Sequence, residues 1–590
     1  MSPDVSFPFE IRRAPRDHDH SDLNQCGIYR ILPPEGKAEA EKNPYLLDYL
    51  HMLPIDEIGI PRIYPKPDRK LGEIKAPNLI YPAGDEIYIH IYADVNDVRN
   101  LYIPVEQHFI VNVEPYLPVV EERLIDMVSG YNPQSLEERK QILRDCLHKI
   151  CVIDDKKKAS ATAEKKKGPF GSFLGGKKEN GKNKTVTMTR DEYRALEYFV
   201  MREKVGMSLL EPVIMDRNIE DITCDGYGPI FLEHKIFKGL KTTVEFTQND
   251  LNRFVLQLSE KIGKPITFAS PIIDATLPDG SRINIVYGDD VSKRGSNFTI
   301  RKFSEKPLSI LDLIDGGSLN FTMAAYLWIM LQEGMSAFVS GETASGKTTL
   351  LNALMTFISP HAKIVSIEDT AEVQVPHRNW TREITRGGGK GGNQADVGMF
   401  DLLKAALRQR PNYIIVGEIR GIEGAIAFQA IQTGHPVLST FHAASVEKLI
   451  QRLTGDPINV PKTYVDNLNL VIIQSAVRRP DGRIVRRVLS INEIVGYNPQ
   501  TKGFSFVEAF GWDPVTDTHE FKGMGSSFLL EQKVARKLGI PTHKTKLIYD
   551  EVEKRAKILK KISESGIRDY GEVFSTITRI EKKGMLKLEV

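Results

Sequence analysis

Apolar residues along this chain follow two rhythms, and the change from one to the other divides it. Up to about residue 310 the strand-like runs are short and separated by turns, whereas from 311 to about 511 buried-type strands alternate with helices in the order of a doubly wound parallel sheet. Within residues 1–153, EIYIHIYADV reads as a strand, and VVEERLIDMVSG and SLEERKQILRDCLHKI carry helical periodicity, predicting a small α/β domain. Residues 154–184 are lysine- and glycine-rich with almost nothing to bury, which predicts a disordered linker; Phe170 and Phe173 among its lysines are candidates for touching an anionic membrane surface. Order resumes at TMTRDEYRALEYFVMREKVG, where Thr189 and Glu192 have capping-box spacing and Tyr193, Leu196 and Val200 share one face. The short strands that follow, with the helix DLNRFVLQLSEKIG between them, predict an α+β domain over 185–310. Beyond 511, residues 512–590 read as a helical C-terminal extension with charged outer faces, expected to pack on its own domain.

The strand-to-helix passage SAFVSGETASGKTTLLNALMTFI organises the rest. Its GETASGKT fits G-x-x-x-x-G-K-T at every fixed position. Gly341, Glu342, Thr343, Ala344, Ser345, Gly346, Lys347, Thr348 and Thr349 thus form a candidate cradle for nucleotide phosphates, with backbone N–H groups turned inward at a helix N-terminus. In that motif Lys347 reaches the β- and γ-phosphates and the Thr348 hydroxyl sits on Mg²⁺. The next strands deliver polar groups at their carboxyl ends, where open α/β sheets bind ligands. AKIVSIED gives Glu368 and Asp369 with Glu372 just beyond, NYIIVGEIRG gives Glu418 and Arg420, and HPVLSTFHA is flanked by His435 and His442. Thr348, Glu368, Asp369 and Glu418 are the candidate metal-site residues; spacing alone does not separate Glu368, Glu372 and Glu418 as catalytic base. In the preceding domain Arg282, Arg294 and Arg301 stand at turn and strand positions, where each is a surface or salt-bridge residue or a guanidinium that reaches the γ-phosphate.

Composition narrows the partners. With 590 residues the chain exceeds one core and suggests about three or four domains, and a formal net charge of +2 gives no whole-chain field for nucleic acid. The absence of a long apolar run or a signal-peptide core predicts a soluble intracellular protein. Four scattered cysteines exclude a disulfide framework, and Cys146, His148 and Cys151 lack a second pair to close a zinc site.

Together, GETASGKTT, IEDTAEV, IIVGEIRG and TGHPVLSTFHA resemble, in this order, the type II/IV secretion ATPase superfamily. LPDGSRINIV, RGSNFTIRKF and SESGIRDYGEV are most similar to its archaeal branch, the motors of archaellum, pilus and secretion machines. The resemblance covers roughly residues 185–578. It implies a RecA-like P-loop core preceded by a PAS-like α+β domain, ATP and Mg²⁺ as cofactors, and a homohexamer. It also implies a cytoplasmic motor on the inner face of the membrane, a polytopic platform protein as partner, and prepilin-like or secreted protein as indirect cargo. By the same resemblance Glu372 polarises the attacking water and Glu418 lies near the metal. His435 and His442 then couple nucleotide state to domain closure, and Arg282, Arg294 and Arg301 are contacts from the preceding domain. Two departures stand out: no cysteine follows Cys224, so the four-cysteine zinc insert of many bacterial pilus motors is missing, and residues 1–184 are longer than a compact archaellum motor needs. A nucleic-acid motor is the alternative. It needs a basic channel with stacking aromatics, and the strongest basic run, RRPDGRIVRR, has none and reads as a hairpin.

Overall fold

The computed structural model describes residues 9–10, 23–94, 97–154, 185–277, 279–303, 306–386, 397–479, 482–501 and 503–584. The expected lysine-rich linker with Phe170 and Phe173 lies outside the described residues. The chain packs as two compact units, Met1–Phe303 and Ser304–Val590.

In the first unit the strand Ile87–Tyr92 is buried at five of its six positions, so both of its faces need cover. Tyr88 faces a cluster with Leu46, Leu50 and Ile80, while Ile87, Ile89 and Ile91 face a second cluster with Tyr81 and Tyr102. That second cluster continues through Ile222, Leu232 and Phe298 of the later segment, because the strand Asn100–Glu106 pairs in parallel with Lys238–Phe246, from Asn100↔Leu240 to Tyr102↔Thr242. A single ten-stranded sheet results, and it joins segments 1–153 and 185–310, which the sequence pattern treats as separate domains. The pairing spans only three residues of each strand, too short for a periodicity signal. A buried polar knot reinforces it: the hydroxyls of Tyr81 and Tyr102 donate to Asp216 Oδ2 at 2.6 and 3.2 Å, and Tyr81 Oη lies 3.0 Å from His234 Nε2. The capping box forms as its spacing predicts: Glu192 N–H donates to Thr189 Oγ1, Thr189 N–H donates to Glu192 Oε2, and the helix Arg190–Lys204 follows.

The second unit holds nine strands: β1 (Ala337–Ser340), β2 (Ile364–Glu368), β3 (Trp380–Ile384), β4 (Tyr413–Glu418), β5 (Val437–Phe441), β6 (Leu470–Arg478), β7 (Ile484–Asn498), β8 (Gly503–Asp513) and β9 (Thr518–Glu520). They lie in the order β3-β2-β4-β5-β1-β6-β7-β8-β9, parallel through β6 and antiparallel beyond. Helices cover both faces, as the doubly wound pattern requires. On one side sit α1 (Phe321–Gln332) and α2 (Lys347–Leu354), and on the other α3 (Met399–Arg408), α4 (Glu423–Gln432) and α5 (Val446–Thr454). Strand β1 is buried throughout, Ala337 and Val339 facing the first set and Phe338 the second.

The C-terminal region is not helical from residue 512 onward. Gly511 lies inside β8, which runs on to Asp513 and pairs with β9. Helices α6 (Ile548–Glu564) and α7 (Tyr570–Lys582) then bury Val552, Leu559, Val573 and Ile577 in the same cluster as Leu327 and Leu350. The physical reason is visible in α1, which is apolar nearly all round and so must be covered on its outer side as well.

Candidate functional site

The phosphate loop leaves β1 at Ser340 and enters α2 at Lys347. Gly341 is required by a close approach: a Cβ there would stand 2.0 Å from the Gln474 carbonyl oxygen of β6. Gly346, the N-cap of α2, has φ +90°, a left-handed conformation that a side chain disfavours. Lys347, 8% exposed, donates from Nζ to the carbonyls of Gly341 and Glu342 at 3.1 and 2.7 Å. Burial lowers its pKa from the ordinary lysine value, with Arg420 adding and Glu418 and Glu372 opposing. The ammonium is therefore held over the mouth of the loop, where a phosphate would replace the two carbonyls as its partner.

Glu372 follows β2 on residues 371–377, a stretch without regular secondary structure whose backbone is pinned from several sides. The N–H groups of Glu372 and Val373 donate to Glu368 Oε1 at 2.8 and 2.7 Å. Asn352 of α2 donates from Nδ2 to the Glu372 carbonyl at 3.1 Å and accepts the Gln374 N–H at 3.0 Å, and Arg382 of β3 donates to the Val373 carbonyl. So fixed, Glu372 Oε2 accepts from the Thr348 hydroxyl at 3.3 Å. Of the four acidic candidates, this is the carboxylate brought to Thr348.

The other three have different surroundings. Glu368 is 1% exposed and serves as a backbone acceptor, with Oε2 3.5 Å from Arg382 Nε; burial pushes its carboxyl up to about 7. Asp369 is exposed and accepts from the Thr385 hydroxyl. Glu418, at the end of β4, lies 2.5 Å from Arg420 Nη2 and 3.0 Å from His442 Nε2. His442 Nδ1 in turn lies 3.5 Å from Lys347 Nζ. Burial pulls the imidazole pKa below the ordinary value, with Glu418 opposing. Among the described residues no group of three or more His, Cys, Asp or Glu side chains forms a ready metal cage. The oxygen donors that the loop itself offers are the Thr348 hydroxyl and the neighbouring Glu372 carboxylate, a set of the kind that would fit Mg²⁺.

A family model described as Type II/IV secretion system protein matches residues 203–504. An uncharacterised protein of Methanocaldococcus jannaschii is 42% identical over 562 residues, covering 93% of this chain and 97% of its own length. The chain belongs to the type II/IV secretion system protein family. The type IV secretion system protein PtlH of Bordetella pertussis is 30% identical over 269 residues, covering 42% of this chain and 79% of PtlH. Among solved structures, the Legionella pneumophila ATPase DotB aligns at 20% identity over 63% of this chain and 94% of its own, with a TM-score of 0.37.

In this family member the two histidines of the fourth strand stand at opposite ends of β5. His442 is in the site. His435 precedes the strand, beside Thr433 Oγ1 at 3.1 Å, on the order of 20 Å away at ~3.3 Å per residue. The three arginines of the first unit also separate. Arg282 and Arg301 are direct cross-strand partners and share one face, whereas Arg294 lies in the connection at the far end of that hairpin, roughly 13 Å along the strands. On either side of the centre of the basic run, β6 and β7 pair antiparallel, with Arg478 opposite Ile484 and Ser475 opposite Arg487. Arg487 is committed to Asp517 through two hydrogen bonds of 2.7 and 2.9 Å, and Arg479 Nε lies 3.3 Å from the same carboxylate. Arg486 reaches the outside of the phosphate loop, donating to the Ala344 carbonyl at 3.3 Å. Sequence reasoning missed Asn352, Arg382 and Arg486. Asn352 alone left a signal, as the one amide in the apolar run LLNALM.

Proposed function

We propose that this chain is an ATPase that hydrolyses ATP, with Mg²⁺, to power assembly of a type IV pilus-like filament, archaellum or secretion machine. The observation that supports this most is the Glu372 carboxylate at 3.3 Å from the Thr348 hydroxyl, on the second residue of the helix that follows a complete phosphate loop. In-line attack on a terminal phosphate needs a positioned phosphate, a metal and an oriented water. The loop amides with Lys347 hold the phosphates, Thr348 holds Mg²⁺, and Glu372 orients the water. Held by Thr348, Mg²⁺ would supply neutralisation of the charge on the phosphates. Glu418 and His442 sense the same phosphate through Lys347. To Arg282 and Arg301 we assign the neutralisation of charge that develops on the terminal phosphate, a role suited to two guanidinium groups on one face. Family membership supports a homohexamer at the inner face of the membrane, driving a polytopic platform protein with prepilin-like or secreted protein as indirect cargo. No helix among the described residues is long and apolar enough to cross a membrane.

The deciding experiment is phosphate release by the purified full chain with ATP and Mg²⁺, in the presence and absence of EDTA. Turnover that requires Mg²⁺ and vanishes in Lys347→Ala is the expected result. Release that survives the lysine substitution would remove the reading.

A further inference from the structure

The C-terminal helix α7 begins at a corner, Arg568–Asp569–Tyr570, whose three side chains reach three different parts of the second unit. Arg568 Nε donates to Asp315 Oδ2 at 2.6 Å. Asp569 caps α7 and also accepts from Lys306 Nζ at 3.2 Å. Both partners belong to the segment by which the chain enters the second unit. Tyr570 points the other way, into the protein. It is 8% exposed, and its hydroxyl lies 2.9 Å from the Asn352 carbonyl and 3.0 Å from the Gln374 carbonyl, with burial raising its pKa.

Those two carbonyls belong to the residues that hold Glu372. Asn352 binds the Glu372 carbonyl and the Gln374 N–H, so Tyr570, Asn352 and Gln374 close a hydrogen-bonded ring behind the carboxylate. The same helix supports the stretch again one turn on, where the Phe574 ring lies 4.8 Å from the His377 ring. Residues 371–377 have no ladder of their own, so each such bond fixes a backbone that would otherwise sample many conformations. Water could solvate these carbonyls if the surface were open, and then the hydroxyl would be dispensable. It is closed by α7.

We propose that Tyr570 is a positioning residue for hydrolysis, which fixes the direction of the Glu372 carboxylate through Asn352 and the Gln374 carbonyl. The proposal rests on the assignment of Glu372 as the group that orients water. Through Arg568 and Asp569 the same corner also contacts Asp315 and Lys306.

The test compares four full-length proteins: wild type, Tyr570→Phe, Glu372→Gln and the double variant, each measured for affinity to a fluorescent ATP analogue and for single-turnover phosphate release. Tyr570→Phe should bind the analogue within about twofold of wild type and release phosphate about fivefold more slowly, the effect of one lost neutral hydrogen bond. In the Glu372→Gln background the same change should cost nothing further, because the group that it positions is gone. Hydrogen exchange supplies an independent readout: peptides covering residues 371–377 should exchange faster in Tyr570→Phe while β1 and β4 stay protected. An unchanged rate, an equal loss in both backgrounds, or a loss of affinity equal to the loss of rate would overturn the proposal. Full turnover in Glu372→Gln alone would overturn the parent assignment and the proposal with it, and is recognised without reference to Tyr570.

Discussion

Two charged centres carry the proposed chemistry, and they are built in opposite ways. Around Glu372 each neighbouring backbone group has a named partner, from Glu368, Asn352, Arg382 and Tyr570, before any nucleotide is considered. Around Arg282 and Arg301 there is little of this. The two guanidinium-bearing residues are exposed and directly opposed across neighbouring strands, a like-charge arrangement that costs stability. Asp274 Oδ1 stands 3.9 Å from Arg282, and Asp221 lies across from Arg301 on its other flank, which offsets part of the repulsion. The difference teaches where each centre gets its order. The carboxylate side is organised by the fold, and the arginine side carries a strain that an anion would relieve.

Substitutions can break or sharpen that contrast. The largest effect is expected from Lys347→Ala, which should abolish measurable phosphate release, since no other side chain replaces an ammonium held in the loop. Glu372→Gln keeps the shape of the braced side and should retain ATP affinity while lowering turnover at least about 10²-fold, or about 2.7 kcal/mol on the barrier. Should Glu418→Gln alone produce that pattern instead, the base is misassigned.

Glu368 offers a pH signature of the same side. Its folded-state carboxyl is raised from 4.5 to about 7, so the folded protein holds the proton more tightly than the unfolded chain does. The contribution is therefore complete below about pH 4.5 and is lost as pH rises through 7. It amounts to about 2 kcal/mol between pH 5 and pH 7, read as the change in unfolding free energy of wild type relative to Glu368→Gln. A difference that stays flat over that window would show the carboxylate to be ionised throughout.

On the arginine side, Arg301→Ala should slow turnover about tenfold while leaving stability unchanged or raised by a few tenths of a kcal/mol, because one member of a repelling pair is gone. Destabilisation beyond about 1 kcal/mol would make Arg301 a structural residue. The smallest effect separates the histidines: His442→Ala should weaken nucleotide binding by about fivefold, and His435→Ala, at the other end of β5, should leave the affinity of the protein within about twofold of wild type.

What the sequence revealed of this site depended on distance along the chain. The phosphate loop, Glu372 and Glu418 sit at strand ends that hydrophobic runs mark clearly, so their convergence follows from the parallel sheet itself. The brace behind Glu372 does not, because Tyr570 meets Asn352 across 218 positions and no local pattern encodes that contact. His435 shows the limit of strand-flank reasoning. A residue before a strand and one after it look equivalent in a motif, yet β5 places them at its opposite ends. The fold of the first unit escaped for a related reason: its two halves meet through three residue pairs in parallel, and the short strands on either side carry no pattern that marks a shared ladder.

That shared ladder constrains how the protein can be shortened. Removing the first 153 residues would strip Asn100–Glu106 from Lys238–Phe246 and leave the latter with a raw, hydrogen-bond-hungry margin flanked by Leu240 and Val244. Asp216 would simultaneously lose both phenols, Tyr81 and Tyr102, that shelter its charge. A trimmed derivative would therefore tend to clump through that margin, so the amino-terminal quarter is a fixture of the first unit's architecture and no detachable appendage.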